Sequence, residues 1–509
     1  MFRRLRLSRF VIGLFLIPLV LDAGESVSRP GVLHLSLDDA IRMALAKNFE
    51  IEVARFEPKI ARENVTGELG AFDPRFTAEV NAGENTVNDV FETVFDTRRN
   101  FILGASHRKD TSILQTGNFQ FGLSGRTPLG TTYELGSNTL LQSGTSRHFD
   151  ESFNTTIGTS LTQPLLKGAG TAANLRGVRI ARNNALASEW ALRNTAIDVV
   201  TRAVFVFNEL HLAQQNLEVA LSSRALAQQT LNDNIKRAEI GVMSPLNITT
   251  ARAEVAARQE AVFLAQRDIK DNENLLKQLV TADLEPMLGV QIEIDLPPSP
   301  AFRADVHAGL IDALNFRPDY RQAILELERR HIELAFKKNQ LLPQLDLKGS
   351  LELVGLDNDI GTSVNRAGRP DRTVWSVGAI FSVPIPNREA RSAENAARLS
   401  AAQGLVSLQQ MEQDIIVKVD NASGQVITSR ERIVSNAEAT KLAKESLDAG
   451  EERLRAGTGT TFEVLELQKK LREAQLAELS ARADYNKAVN EYYRQTGVTL
   501  RVYRVMIGK

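Results

Sequence analysis

The chain repeats itself. The stretch "AIRMALAKNFEIEVARFEPKIA", running into "AFDPRFTAEV", returns as "AGLIDALNFRPDYRQAILELER", running into "LLPQLDLKGSLEL". Ala44-Leu45 and Ala313-Leu314 stand 269 apart, as do Ala54 and Ala323, and Pro74 and Pro343. A second pair is "SLTQPLL" with Pro164 and "IFSVPIP" with Pro384. In a third, Arg237 and Gly241 match Arg453 and Gly457, both 216 apart, as are Gln259 and Gln475. Two copies are too few for a solenoid, so the halves must build one pseudo-symmetric unit. The offset shrinks between Pro74 and Pro164, which places extra residues in the first half. The expected division is a signal peptide at 1–23, a first repeat at 24–295, a Pro-rich linker at 296–300, a second repeat at 301–497 and a tail at 498–509.

Each half reads helix, strands, long helix, turn, helix. After Pro343, Leu345, Leu347, Gly349, Leu351 and Leu353 alternate with Asp346, Lys348, Ser350 and Glu352. Phe76, Ala78 and Val80 alternate with Thr77, Glu79 and Asn81, and similar runs precede Pro164 and Pro384. Period-two patterning marks strands with one apolar and one polar face. Their length, about 10 residues, is what a tilted strand needs to cross a bilayer. A soluble sandwich edge would carry the same pattern. Between Ala82 and Ser152, Phe119, Phe121 and Leu123, then Thr127-Pro128-Leu129-Gly130, then Tyr133 and Leu135 read as an extra hairpin at 118–140. It either extends the barrel or projects outside it, with the extracellular side or the barrel rim the preferred expectation.

No proline occurs from about Asn174 to Ile240 or from about Ala390 to Thr461, lengths that make helices on the order of 100 Å. Ala196, Ala203, Leu210 and Leu217 step by seven, as do Leu467, Ala474, Ala481 and Ala488. A seven-residue apolar repeat supercoils its helices, and alanine on the seam lets them approach closely. Four bilayer-length strands cannot close a barrel alone, because open edges are intolerable in lipid. Several chains must therefore contribute wedges to one wall.

Other features narrow the function. Arg3, Arg4, Arg6 and Arg9 precede the apolar run Phe10 to Leu21 and then Asp22-Ala23-Gly24, the pattern of a secretory signal. Zero cysteines exclude disulfides, thiolate metal sites, a cysteine nucleophile and an acylated cysteine anchor. Sixty-one basic side chains against 62 acidic ones leave no basic footprint for nucleic acid. The six histidines show no metal-ligand spacing. Gly168-Ala169-Gly170 lacks the lysine and serine of a phosphate loop and reads as a bend where strand passes into helix. No nucleophile and base are legible, so neither a cofactor nor an enzymatic activity is expected.

In order along the chain, "LDDAIRMALAKN", "LTQPLLKG", "RAEIGVMSPLNI", "RLRAGTGTTFEVLELQKKLREAQ" and "YNKAVNEYYRQTG" resemble the TolC-type outer-membrane efflux and secretion channel family. The resemblance covers roughly Leu35 to Gly497. It implies an α+β membrane protein: a trimeric outer-membrane β-barrel with four core strands per chain and twelve per trimer, continued by a long α-helical coiled-coil tunnel in the periplasm. It also implies outer-membrane lipid, a periplasmic adaptor protein and an inner-membrane pump or ABC transporter as partners. The periplasmic tip turns, Arg237, Gly241, Ser244 and Pro245 with Arg453, Gly457 and Thr460, would meet the adaptor. Glu463 and Glu466, three apart and so on one helix face, match acidic positions that line the narrow entrance in several members. A trimer would converge six carboxylates there, favouring cations. Two solvated glutamates favoured by a helix N-terminus are the plainer alternative. Gly459 stands where some members place a basic residue that helps lock the entrance. The rival function is a soluble periplasmic coiled-coil scaffold or adaptor, but no lipoyl-like β domain is visible between the helical arms. An outer-membrane enzyme would need a convergent polar site, and none is legible.

Overall fold

The computed structural model describes residues 31–87, 90–96, 101–108, 112–144, 151–241, 243–295 and 302–505. The expected signal peptide, the linker at 296–300 and the last four residues of the tail lie outside them. The first repeat opens with β1 (Val32–Leu35), α1 (Leu37–Lys47), α2 (Phe49–Ala54) and α3 (Phe56–Leu69). Strands follow: β2 (Arg75–Val87), β3 (Val90–Asp96), β4 (Phe101–Arg108), β5 (Ser112–Arg126), β6 (Thr132–Gly144) and β7 (Ser152–Pro164). A short α4 (Thr171–Asn174) leads into α5 (Arg176–Glu239) and α6 (Pro245–Val280), and β8 (Gln291–Ile294) pairs in parallel with β1. The second repeat runs α7 (Val306–Phe316), α8 (Pro318–Gln340), β9 (Gln344–Asp357), α9 (Ile360–Ala367), β10 (Thr373–Ser382), α10 (Arg388–Arg455) and α11 (Thr461–Thr496), ending in α12 (Thr499–Val502).

The duplication is visible in the packing. Ser36 caps α1 by accepting the Asp39 N–H at 3.2 Å, and Asp305, 269 residues later, caps α7 by accepting from His307 and Ala308. Behind these caps Ala40 and Ala44 are buried in α1, and Gly309 and Ala313 in α7, at the same offset. Ala44 packs on Val199, Ala203 and Leu210 of α5, while Ala313 packs beside Ile415, Val419 and Val426 of α10, 216 residues on. Leu276 of α6 and Tyr492 of α11 close the two cores at that same 216 offset. One mid-helix core is thus built twice. The charges recur in position but not in pairing: Arg202 of α5 clamps Glu50 of α2, whereas Asp319 of α8 pairs with Arg317 and feels Lys418, the counterpart of Arg202, only as a nearby charge.

The helices α5 and α6, and α10 and α11, form two antiparallel hairpins joined by α5 against α11. Asn486 donates to Asn208 at 3.1 Å, Arg494 to Asp198 at 3.1 Å and Gln468 to Thr230 at 3.1 Å along that seam. At 64 and 68 residues, α5 and α10 reach about 100 Å. The heptad residues Ala196, Val200, Ala203, Phe207 and Leu210 are fully buried. The outer flanks carry apolar side chains with nothing on them, among them Phe263 on α6 and Val406 and Val434 on α10.

The main sheet holds six strands in the order β10-β9-β7-β6-β5-β2, with every described pair in it antiparallel. The expected four core strands are β2, β7, β9 and β10, and the extra hairpin adds β5 and β6 between β2 and β7. Of its two expected placements, the hairpin at 118–140 takes the one that extends the sheet, not the preferred extracellular or rim position. Local alternation and the turn define the hairpin, whereas the pairing of β5 with β2 and of β6 with β7 lies outside it and leaves no local mark. The turn between β5 and β6 sits beside the strand-to-helix junction, where Gly170 N–H donates to Leu129 C=O at 3.0 Å. Gly168 and Gly170 take φ of 78° and 80°, the bend expected where strand passes into helix.

The two faces of the sheet differ. Phe76, Leu123, Leu135, Thr159, Leu351 and Trp375 share one row across all six strands, and that face is apolar. The next row on the other face runs Thr77, Gly122, Gly136, Gly158, Glu352 and Val374. A Cβ on Gly136 would stand 2.7 Å from Phe121 O, and one on Gly158 would stand 2.9 Å from Leu351 O. The sheet therefore bends sharply toward this face, as glycine rows permit at a barrel corner. A hollow lined by Gln120, Glu134, Asn138, Thr156 and Glu352 lies over the bend. Concave and polar, convex and apolar: that is the wall of a water-filled barrel.

Two outcomes follow. Gly136→Ala should lower the thermal unfolding midpoint by the equivalent of about 1–3 kcal/mol, while Gly349→Ala, whose Cβ meets only Ser376 O at 4.0 Å, should leave it near the parent value. The Arg202 hydrogen bond holds the Glu50 pKa below 4.5. Burial pushes Asp319 up, but Arg317, the Tyr320 N–H and Lys418 more than offset it and hold the carboxyl below 3.8. Depressed carboxylates stabilise above their unfolded pKa and lose that contribution as pH falls through the folded one. Helical melting should accordingly be flat from pH 7 to 5 and fall below pH 4.5, less steeply in Arg202→Met.

Candidate periplasmic entrance

The two helical hairpins turn at the ends farthest from the sheet. Helix α5 ends at Gly241 and α10 at Gly457, with φ of 80° and 78°, the left-handed conformation that closes a helix C-terminus. After the second of these, Thr458 N–H and Gly459 N–H both bond to Arg453 C=O, at 2.9 and 3.0 Å. The next helices are capped alike. Ser244 accepts the Leu246 N–H at 3.3 Å with Pro245 in the first turn, and Thr460 accepts the Glu463 N–H at 3.2 Å. Ser244 and Thr460 are again 216 apart. Proline suits the first turn because its missing N–H would have no helical partner there.

Charge breaks this symmetry. Arg453 Nη1 donates to Glu463 Oε1 at 2.6 Å, pinning the end of α10 to the start of α11. The position 216 before Glu463 is Asn247 and the one before Glu466 is Thr250, so the first tip has neither acid. Arg237, the counterpart of Arg453, crosses instead to the second tip and donates to Leu454 C=O at 3.3 Å. A guanidinium there complements the exposed carbonyls of a helix C-terminus. The tips are also tied by Thr461 and Asn234, whose Oγ1 and Oδ1 lie 3.4 Å apart. All seven tip-turn residues singled out in the sequence, Arg237, Gly241, Ser244, Pro245, Arg453, Gly457 and Thr460, therefore fall at one end of the helical layer.

Glu463 and Glu466 are both half-buried on α11. Glu466 has no ion-pair partner among the described residues. Glu463 has one, the Arg453 guanidinium, which spacing alone did not reveal: the two are 10 residues apart across a turn. Gly459 is explained by space, since a Cβ there would stand 3.0 Å from Leu454 N and 3.2 Å from Arg453 C. A basic side chain at this position would press on the turn that holds the entrance hairpin together.

The chain belongs to the outer membrane efflux protein family, whose model matches residues 128–282 and 310–498. Among its relatives is the outer membrane efflux protein BepC of Brucella suis, 22% identical over 343 residues, covering 67% of this chain and 72% of that one. Among solved structures, the CmeC outer membrane channel of Campylobacter jejuni superposes with a TM-score of 0.65 at 16% identity, covering 91% of this chain and 86% of CmeC. The outer membrane protein VceC of Vibrio cholerae gives 0.64 at 14%, covering 91% and 96%. The protein is an outer-membrane efflux channel with a barrel sheet and a long helical tunnel.

A double-mutant cycle checks the tip clamp. Arg453→Ala and Glu463→Gln should each lower the melting midpoint slightly and couple by ~0.2–1 kcal/mol, the range for a partly exposed ion pair. A coupling of zero would assign the pair no role in holding the tip.

Proposed function

We propose that three copies of this chain form a passive conduit, open to the outside through the barrel and gated at the periplasmic tips. The observation that carries this reading is that sheet and helical layer are both unfinished at their two flanks. Among the described residues, the outer edges of β2 and β10 in the sheet have no partner strand, and the outer sides of α6 and α10 in the helical layer carry exposed apolar side chains. A cyclic arrangement satisfies all four flanks at once. Energy for transport would come from an inner-membrane pump or ABC transporter, reached through a periplasmic adaptor that seats on the tip turns around Arg237, Gly241, Ser244, Pro245, Arg453, Gly457 and Thr460. The cargo is efflux or type I secretion substrate. A soluble scaffold is disfavoured by the convex apolar face, which exposes Trp375 at 72% and Phe76 and Val80 at 68% each.

Within the conduit, Glu463 and Glu466 would ring the entrance. Glu466 is the stronger contributor, because Arg453 already offsets the Glu463 charge. In planar-bilayer recordings, Glu466→Gln should reduce the cation-to-anion permeability ratio several-fold and Glu463→Gln should reduce it less. An unchanged ratio in the double variant would leave two ordinary first-turn glutamates and no ring.

A further inference from the structure

We infer that the trimer closes an eighteen-stranded barrel, formed by pairing β2 of each copy with β10 of the next. The inference rests on the trimeric reading above and concerns the width of its wall. Three sheets of six strands make eighteen. Barrel diameter grows roughly linearly with strand number, so the lumen is about 1.5-fold wider than four strands per chain would give.

Three observations support this wall. First, the repeated prolines Pro74 with Pro343 and Pro164 with Pro384 make β2 and β7 the counterparts of β9 and β10, so β5 and β6 are the added pair, and they sit inside the sheet between β2 and β7. Second, the added strands continue the pattern of the others without a slip. Thirteen residue pairs join β2 to β5 and thirteen join β5 to β6. Phe119, Phe121 and Leu123 fall on the apolar convex face, and Gln120 on the polar concave one. A one-residue shift would put those three side chains into the water-filled lumen. Third, the added strands have bilayer reach: 15 residues in β5 and 13 in β6, against the 9–11 or so a tilted strand needs.

A second copy is the occupant that fits the free edges. Strand β2 runs away from the helical layer and β10 runs back toward it, so the two meet antiparallel when copies are related by rotation. Both carry the same alternation: Phe76 and Val80 on one, Trp375 and Val377 on the other, all on the convex face. The helical layer gains nothing to match the added strands, for each chain still supplies α5, α6, α10 and α11. The barrel is therefore broader than the tunnel beneath it. The outer-membrane section is never the narrowest part, and size selection falls to the tips.

Because the chain has no cysteine, single reporters are unambiguous. Phe121 and Ile157 share one row across the sheet. The full-length protein would carry a bimane label at Phe121→Cys, Ile157→Cys or Gln120→Cys in phosphatidylcholine vesicles containing brominated chains, and its oligomer would be weighed by mass photometry. The expected result is a three-chain particle, quenching at Phe121→Cys within twofold of that at Ile157→Cys, and little quenching at Gln120→Cys. If Phe121→Cys does not assemble, Phe119→Cys on the same strand and face replaces it. Quenching at Ile157→Cys but not at Phe121→Cys would put the added strands outside the wall and overturn the inference while leaving the channel reading intact. A two-chain particle would also overturn it. Absence of quenching at both would bring down the membrane barrel itself.

Discussion

In hydrocarbon, a backbone N–H or C=O has no water to bond, and each one left bare costs several kcal/mol. The outer edges of β2 and β10 carry rows of such groups on strands whose convex face is apolar. A lone chain cannot enter a bilayer in this form. Everything else in the structure is compatible with that one requirement: the strand directions at the two edges, the bend at Gly122, Gly136 and Gly158, and the bare flanks of the helical layer. Folding of the sheet and assembly of the copies are for this reason one problem rather than two.

What makes the unfinished wedge stable enough to assemble is the pair of cores midway along the long helices. Ala44 against Val199, Ala203 and Leu210 reappears as Ala313 against Ile415, Val419 and Val426. Small residues on α1 and α7 let those helices lie close on the coiled-coil hairpins, and large residues on the hairpins fill the space between. Beside the first core the Arg202–Glu50 pair joins α5 to α2, and beside the second Arg317 and Asp319 pair at the start of α8.

The parts legible in the sequence are those governed by local period. Reading a helix from about Asn174 to Ile240 found α5 within two residues at its start and one at its end, because the heptad repeat and the lack of proline act residue by residue. The caps at Ser36, Asp305, Ser244 and Thr460 also follow from local chemistry. The strands β5 and β6 were legible individually from Phe119, Phe121, Leu123, Tyr133 and Leu135. Their place in the sheet was not, since it depends on pairing with β2 and β7, and register is set by contacts far apart in the chain. The Arg453–Glu463 clamp was hidden for a related reason: a turn must fold before residues 10 apart can touch. Arg237 bonding to Leu454 C=O, 217 positions away, left no local signal at all.

Duplication explains why chemistry gathers at only one tip. After the chain doubled its scaffold, both halves kept the arginine, the glycine and the cap, because each hairpin needs a left-handed close and a satisfied N-terminus. The acids at 463 and 466 have no such structural duty, and their counterparts are Asn247 and Thr250. Lacking a counterpart of Glu463, Arg237 bonds the second hairpin and ties the two ends of the layer together. The pair at 463 and 466 thus belongs to the second tip alone, and the two hairpins of one chain end unlike each other. The bond from Arg237 to Leu454 C=O lies on the boundary between them.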